Sequence, residues 1–179
     1  MIYESFFKGT KSVVLENENL KVIVLPEIGG KIASVFNKPK EFELLFQCKG
    51  DAYKKAEIFD DFGEYDASGF DDAFPSIDEG MVQVGQSLVR YPNHGEIWTM
   101  KFGCDIVGER LLLHGNSAIL SYSYSKALSL QGDKLLIQYN ITNNGYEDIP
   151  CLWAMHCLIR CEEDMQLIFP EGTNKIRNV

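Results

Sequence analysis

Two of the three histidines in this chain stand in settings suited to proton transfer. His94 lies in Tyr91-Pro92-Asn93-His94-Gly95-Glu96-Ile97-Trp98, and His156 in Cys151-Leu152-Trp153-Ala154-Met155-His156. Both stretches interrupt an apolar, β-rich pattern with polar, aromatic or Gly-Pro features. An imidazole has an unperturbed pKa of about 6.5, so it gives or takes a proton near neutral pH. The competing reading is a pair of core histidines whose ring nitrogens are satisfied internally. If residues 93–98 enter a strand, His94, Glu96 and Trp98 share one face. An indole stacks on the C–H face of a pyranose while a carboxylate and an imidazole bond its hydroxyls, so such a face suits a sugar. On the competing reading Trp98 is core and Glu96 pairs with a surface lysine.

A long irregular stretch, residues 48–78, is the second feature that bears on chemistry. Residues 50–80 hold ten acidic and two basic side chains, which accounts for nearly all of the chain's net charge of −9. The stretch far exceeds the ~4–6 residues of an ordinary connection, and long ordered loops on β-scaffolds are commonly binding or lid elements. Six aromatics (Tyr53, Phe59, Phe62, Tyr65, Phe70, Phe74) are too many for a solvated tether. The stretch is expected to fold over a sugar pocket, with Asp72 accepting a hydrogen bond from a substrate hydroxyl. A carboxylate accepts only, so it suits neutral hydroxyl donors and repels anions. The alternative is that Asp72 caps a local turn.

Several functions are excluded or disfavoured. No basic surface is written that would bind a phosphate backbone, so no nucleic-acid partner is expected. No run approaches the ~18 apolar residues of a membrane helix, and the first residues lack the pattern of a secretory signal. A cytoplasmic protein is the expectation. The acidic run does not follow the calcium-loop spacing. The five cysteines form no Cys-x-x-Cys pair and read as free thiols. Cys151, His156, Cys157 and Cys161 resemble a zinc set until strand parity is applied: Cys151 and Cys157 share a face and His156 points to the other. No metal and no cofactor are expected.

The elements that must position these residues are mostly strands. Ser12 to Leu15, Leu20 to Leu25 and Lys31 to Phe36 read as strands, with Pro26-Glu27-Ile28-Gly29-Gly30 as a turn. Further strands are expected at 42–47, 97–102, 104–108, 109–113, 117–125, 134–142, 150–159 and 166–169. Ser121-Tyr122-Ser123-Tyr124-Ser125 is the plainest alternation, tyrosines on one face and serines on the other. The expected fold is all-β: one mostly antiparallel sandwich domain over residues 1–179.

Four segments in order, Pro26-Glu27-Ile28-Gly29-Gly30-Lys31-Ile32, Gly69-Phe70-Asp71-Asp72-Ala73-Phe74-Pro75-Ser76-Ile77, Asn93-His94-Gly95-Glu96-Ile97-Trp98 and Leu152-Trp153-Ala154-Met155-His156, resemble the galactose mutarotase-like superfamily, in its divergent aldose 1-epimerase branch. The resemblance implies a β-supersandwich with a sugar pocket on its concave sheet. It places His94 beside the sugar ring oxygen and assigns His156 to protonate that oxygen as the ring opens. The chain departs from the better-known epimerases by carrying Asp71-Asp72 in place of an arginine-rich segment and Cys157-Leu158 after His156. The family's catalytic base is a glutamate far toward the C-terminus of a longer fold, so the chain is expected to be a truncated or shortened relative. Glu96 is the stand-in base. The implied function is interconversion of the anomers of a neutral aldose, with a non-catalytic carbohydrate-binding or degenerate structural domain as the alternative. An epimerase of a phosphorylated hexose would need Arg90 or Lys101 in the pocket. Incomplete sheets leave open edges, so a homo-oligomer paired through them is expected.

Overall fold

The computed structural model describes residues 1–175 and carries thirteen β-strands among them, with helix confined to two short 3-10 turns. The larger sheet contains β1 (Ile2–Phe7), β2 (Thr10–Glu16), β3 (Leu20–Leu25), β4 (Lys31–Asn37), β5 (Phe42–Glu43), β6 (Phe70–Ala73) and β13 (Ala154–Cys157). Its order is β1-β2-β3-β4-β6-β13, with β5 paired to β4. A hairpin of β7 (Gly80–Val84) and β8 (Ser87–Tyr91) follows. The smaller sheet, in the order β12-β11-β10-β9, is a meander of β9 (Gly103–Val107), β10 (Arg110–Asn116), β11 (Tyr122–Gln131) and β12 (Lys134–Asn143). All strand pairings within these sheets are antiparallel. The fold is the all-β sandwich that the period-two pattern predicts.

The core is built by that alternation. Val13, Leu15, Val22, Val24, Ile32 and Phe70 from the larger sheet meet Leu111, Leu113, Tyr122, Tyr124 and Leu128 from the smaller one. In β11 the tyrosines turn inward, and Lys126 follows them at the same parity into the interior. The other face of the larger sheet has a second apolar cluster, Leu25, Ile28 and Ala33, against which Phe7, Ile23 and Tyr53 pack. Tyr53 belongs to the long acidic stretch, which thus lies against the outer face of the sheet.

Some expected strands fail for local reasons. Residues 97–102 do not form a strand: Ile97–Thr99 is a 3-10 turn, closed by the Met100 amide donating to the Ile97 carbonyl. The strand expected at 117–125 begins only at Tyr122, because the Ser117 hydroxyl accepts from the Ile119 and Leu120 amides and holds a turn there. The one expected at 150–159 is regular only over Ala154–Cys157, and 166–169 is irregular. Strands β1, β6 and the β7–β8 hairpin have no counterpart in the sequence reading. Among the described residues, no helix is long and apolar enough to cross a membrane.

Candidate functional site

The site lies on the outer face of the larger sheet, under the acidic stretch. Its base is the pair β6 and β13, which sets His156 directly opposite Asp71 and Met155 opposite Asp72. Strand parity therefore divides the two adjacent aspartates. Asp72 faces the core, where its carboxylate accepts from Lys126 Nζ at 2.7 Å and from the Tyr139 hydroxyl at 2.9 Å. Asp71 faces outward beside His156 and accepts from Lys31 Nζ at 2.6 Å. Lys31 also donates to the carbonyls of Ser68 (2.6 Å) and Asp66 (3.0 Å), so all three of its protons are used.

His94 reaches the same place from a tight turn. Its φ is +57°, the next residue Gly95 has φ +70°, and an added Cβ at Gly95 would lie 2.1 Å from the Phe74 carbonyl oxygen. Only glycine fits there. The turn is pinned by the His94 amide donating to the Ile77 carbonyl and the Glu96 amide to the Phe74 carbonyl. The following 3-10 turn seats Trp98, whose indole N–H donates to the Asn93 carbonyl at 3.2 Å. The Pro26–Gly30 turn abuts Trp98 so closely that a Cβ on Gly29 would meet its backbone at 2.5 Å. Three of the four motifs noted in the sequence are thus packed against one another at Phe74–Gly95 and Gly29–Trp98.

His94 and His156, 62 residues apart, have ring centroids 5.2 Å apart and near-perpendicular planes. Phe62, from a 3-10 turn in the acidic stretch, is their common neighbour. It stacks on His94 at 4.1 Å and 10°, and meets His156 and Trp98 edge-on at 5.1 Å each. Phe62 also lines a cavity of about 200 Å³ with Trp98, Tyr65, Tyr53, Lys31 and Asp71, a cavity that His94 and His156 do not line. In all, four carboxylates (Glu27, Glu57, Asp66, Asp71) and four ammonium groups (Lys31, Lys54, Lys55, Lys101) line it, so its formal charges cancel.

Electrostatics follow from burial. Desolvation, and then the neighbouring His156, hold the His94 pKa below its ordinary value, with Asp78 and Asp61 pulling the other way. Burial raises the Asp71 carboxyl above its ordinary value, opposed by Lys31 and more weakly by Lys126 and His156. The Tyr53 phenol is pushed up to about 12, chiefly by burial, and remains a donor across the physiological range. One prediction concerns His94. A folded-state pKa below the unfolded one means that the unfolded chain binds more protons, so stability falls as pH drops from ~6.5 through the lowered value. Removing the Phe62 ring hydrates His94, and an NMR titration of Phe62→Ala is expected to move its pKa up toward the ordinary one. An unmoved titration would assign the shift to His156 instead.

Of the five residues singled out in the sequence, the structure brings together His94, His156 and Trp98. Asp72 and Glu96 go elsewhere. Glu96 is not on a strand with His94: the turn rotates its carboxylate into the interior, where it accepts from the Tyr122 hydroxyl at 2.6 Å, the Ala118 amide at 3.1 Å and the Ser117 hydroxyl. Phe62, Lys31 and Asp71 are site residues the sequence reading did not select. The signal for Asp71 was parity, since Phe70 and Asp72 share a face and Phe70 is core. Arg90 ion-pairs with Glu79 and stacks on Phe59, and does not line the cavity, whereas Lys101 does line it, 3.5 Å from the Glu27 carboxylate.

Comparison with solved structures places the fold. A protein of Synechocystis sp. PCC 6803 matches with a TM-score of 0.64 at 17% identity, covering 91% of this chain and 55% of that one. A galactose mutarotase related enzyme from Lactobacillus acidophilus matches with a TM-score of 0.57 at 15% identity, covering 74% and 43%. A galactose mutarotase-like protein from Clostridium acetobutylicum matches with a TM-score of 0.54 at 21% identity, covering 80% and 49%. The chain spans about half the length of these structures. No curated protein matches it. Residues 5–178 match a family described as a domain of unknown function, DUF5107. The chain has the fold shared with galactose mutarotase-like proteins and belongs to the DUF5107 family.

Proposed function

We propose that this chain is an aldose 1-epimerase-like protein that interconverts the α and β anomers of a neutral aldose, acting in the cytoplasm. The observation that carries the reading is the pair of imidazoles 5.2 Å apart, delivered from distant segments and flanked by an aromatic wall beside a charge-balanced cavity. A cavity of about 200 Å³ is smaller than the ~300–1,000 Å³ of drug-sized sites and suits a monosaccharide. Its balanced charges favour a neutral polyol over a phosphorylated sugar. Trp98 supplies an apolar face for the sugar's C–H surface.

In this reading His156 protonates the ring oxygen as the C1–O bond breaks and its electrons pass to that oxygen. His94, held neutral by burial, is its partner there. The anomeric hydroxyl loses its proton to a base as C1=O forms, and reclosure on either face yields both anomers. Glu96 does not serve as that base, because its oxygens are already committed to Ser117, Tyr122 and Ala118. That commitment favours a second reading, a carbohydrate-binding domain without turnover. Polarimetry on freshly dissolved aldoses separates the two. Loss of about 10²–10⁴-fold in rate is expected for His156→Ala. Equal rates for wild type and variant, with sugar binding retained in calorimetry, would favour the binding domain.

We further propose self-association through the open edges β12 and β13. β12 is ten residues long and borders the smaller sheet, and Leu152, Trp153, Met155 and Ile159 beside β13 are all exposed. Unpaired backbone groups next to apolar side chains template strand pairing. Sedimentation is expected to show a concentration-dependent dimer or larger species, and a monomer at high concentration would reject the pairing.

A further inference from the structure

Buried side-chain polar atoms are hydrogen-bonded in the great majority of cases, so a cluster of exceptions points to a ligand. Among the described residues five such atoms have no partner: Ser12 Oγ, Tyr53 OH, Ser68 Oγ, Asp71 Oδ1 and His156 Nδ1. Four of the five belong to one neighbourhood. Tyr53 and Asp71 both line the cavity of about 200 Å³. Ser68 is tied to Asp71 through Lys31, whose Nζ donates to the Ser68 carbonyl and to Asp71 Oδ2. His156 stands opposite Asp71 across β6 and β13. Ser12, on β2, is the exception.

The two residues that line the cavity ask for opposite things. Asp71, ion-paired with Lys31 at 2.6 Å, is a carboxylate whose free Oδ1 only accepts. Lys31 cannot satisfy that oxygen, because its three protons go to Oδ2 and to the Asp66 and Ser68 carbonyls. The Tyr53 hydroxyl stays protonated and donates, and its ring is seated by Phe7 and by the Leu25, Ile28 and Ala33 cluster. A ligand that satisfies both must give a proton to one and offer a lone pair to the other. Hydroxyl groups do both. A fully ionised anion has no proton for Asp71, an ammonium has no lone pair for Tyr53, and an apolar ligand leaves both unpaired. We propose that Asp71 and Tyr53 are specificity-determining residues of this cavity, holding hydroxyl groups of a neutral polyol through Asp71 Oδ1 as acceptor and the Tyr53 hydroxyl as donor. The proposal rests on the sugar reading for its ligand, but it requires no turnover.

The test is calorimetry with D-glucose, D-galactose and their monodeoxy analogues. Tyr53→Phe deletes one oxygen that has no protein partner, so the unliganded variant is expected to unfold at the same urea concentration as the wild type or a higher one. Its affinity for the preferred aldose is expected to fall about 2- to 10-fold. One monodeoxy analogue is expected to bind the wild type more weakly by a similar factor, and that penalty is expected to disappear in Tyr53→Phe, because the two deletions remove the same hydrogen bond. Asp71→Asn keeps the shape while replacing an acceptor by a donor, and is expected to weaken the same aldose about 10-fold or more. Either variant binding as tightly as the wild type would overturn the proposal. So would a clear loss of unliganded stability in Tyr53→Phe, which would give its hydroxyl a partner within the chain, or a wild type that binds none of these sugars. Anomer interconversion in polarimetry with KM unmoved by Tyr53→Phe would overturn the proposal and keep the acid/base reading. The predicted losses of affinity in a protein without turnover would uphold the proposal and reject that reading.

Discussion

Lys126→Ala is expected to remove about 3–5 kcal/mol of stability, a large part of the roughly 5–15 kcal/mol that holds a domain together. Lys126 and Asp72 form an ion pair between the two sheets, with side chains 1% and 0% exposed. Removing the ammonium leaves the buried Asp72 carboxylate without its cation, beside the Tyr139 and Tyr124 hydroxyls. The measurement is the urea midpoint at constant slope. Asp72→Asn is expected to lower stability in the same direction while the folded fraction binds sugar unchanged. Replacing both partners, Lys126→Met with Asp72→Leu, is expected to recover most of the loss, since a well-packed apolar pair often equals a buried ion pair. A cost below 1 kcal/mol for Lys126→Ala would show that Asp72 finds another partner and that the pair does not hold the sheets together.

The second large effect is expected at Phe62. Its ring contacts His94, His156 and Trp98 and lines a cavity that neither imidazole lines. A sugar that touches both histidines and the cavity must displace that ring. Each aromatic contact is worth about 0.5–1.5 kcal/mol beyond buried area, so removing three is expected to tighten apparent sugar affinity about 10- to 1,000-fold in Phe62→Ala. Calorimetry with a neutral aldose measures this directly, and Phe62→Leu, which keeps apolar bulk without stacking, should lie between. Weaker binding in both variants would make Phe62 the platform on which the sugar stacks and would reject its role as an obstruction.

The sandwich was legible because its strands alternate: Leu20–Leu25, Lys31–Phe36, Tyr122–Ser125 and Lys134–Thr142 all lie within observed strands. The histidines were legible as well, because imidazoles beside turn residues stand out from a β pattern. What the sequence hid was parity and turn geometry. Glu96 was placed beside His94 by assuming a strand where a left-handed turn reverses the chain, and the positive φ of His94 is not written in its residue type. Choosing Asp72 over Asp71 leaves out strand parity, which puts Asp72 on the face of the core residue Phe70 and Asp71 on the other. Phe62 came from a stretch read as a cover, but which of six aromatics points inward depends on contacts made across the chain.

The side-by-side aspartates of β6 have a consequence for how this protein can change over generations. Asp71 serves the outer face and Asp72 the interior, yet they are consecutive codons on one short strand. A register slip of a single residue would exchange their surroundings, presenting Phe70 or Asp72 to His156 and pulling Asp71 between the sheets. Insertions and deletions in β6 are therefore filtered twice, once for a folded interior and once for the neighbourhood of His156. A length change in the covering stretch bears on Asp71 as well, because its Asp66 and Ser68 carbonyls fix the Lys31 ammonium that holds that carboxylate.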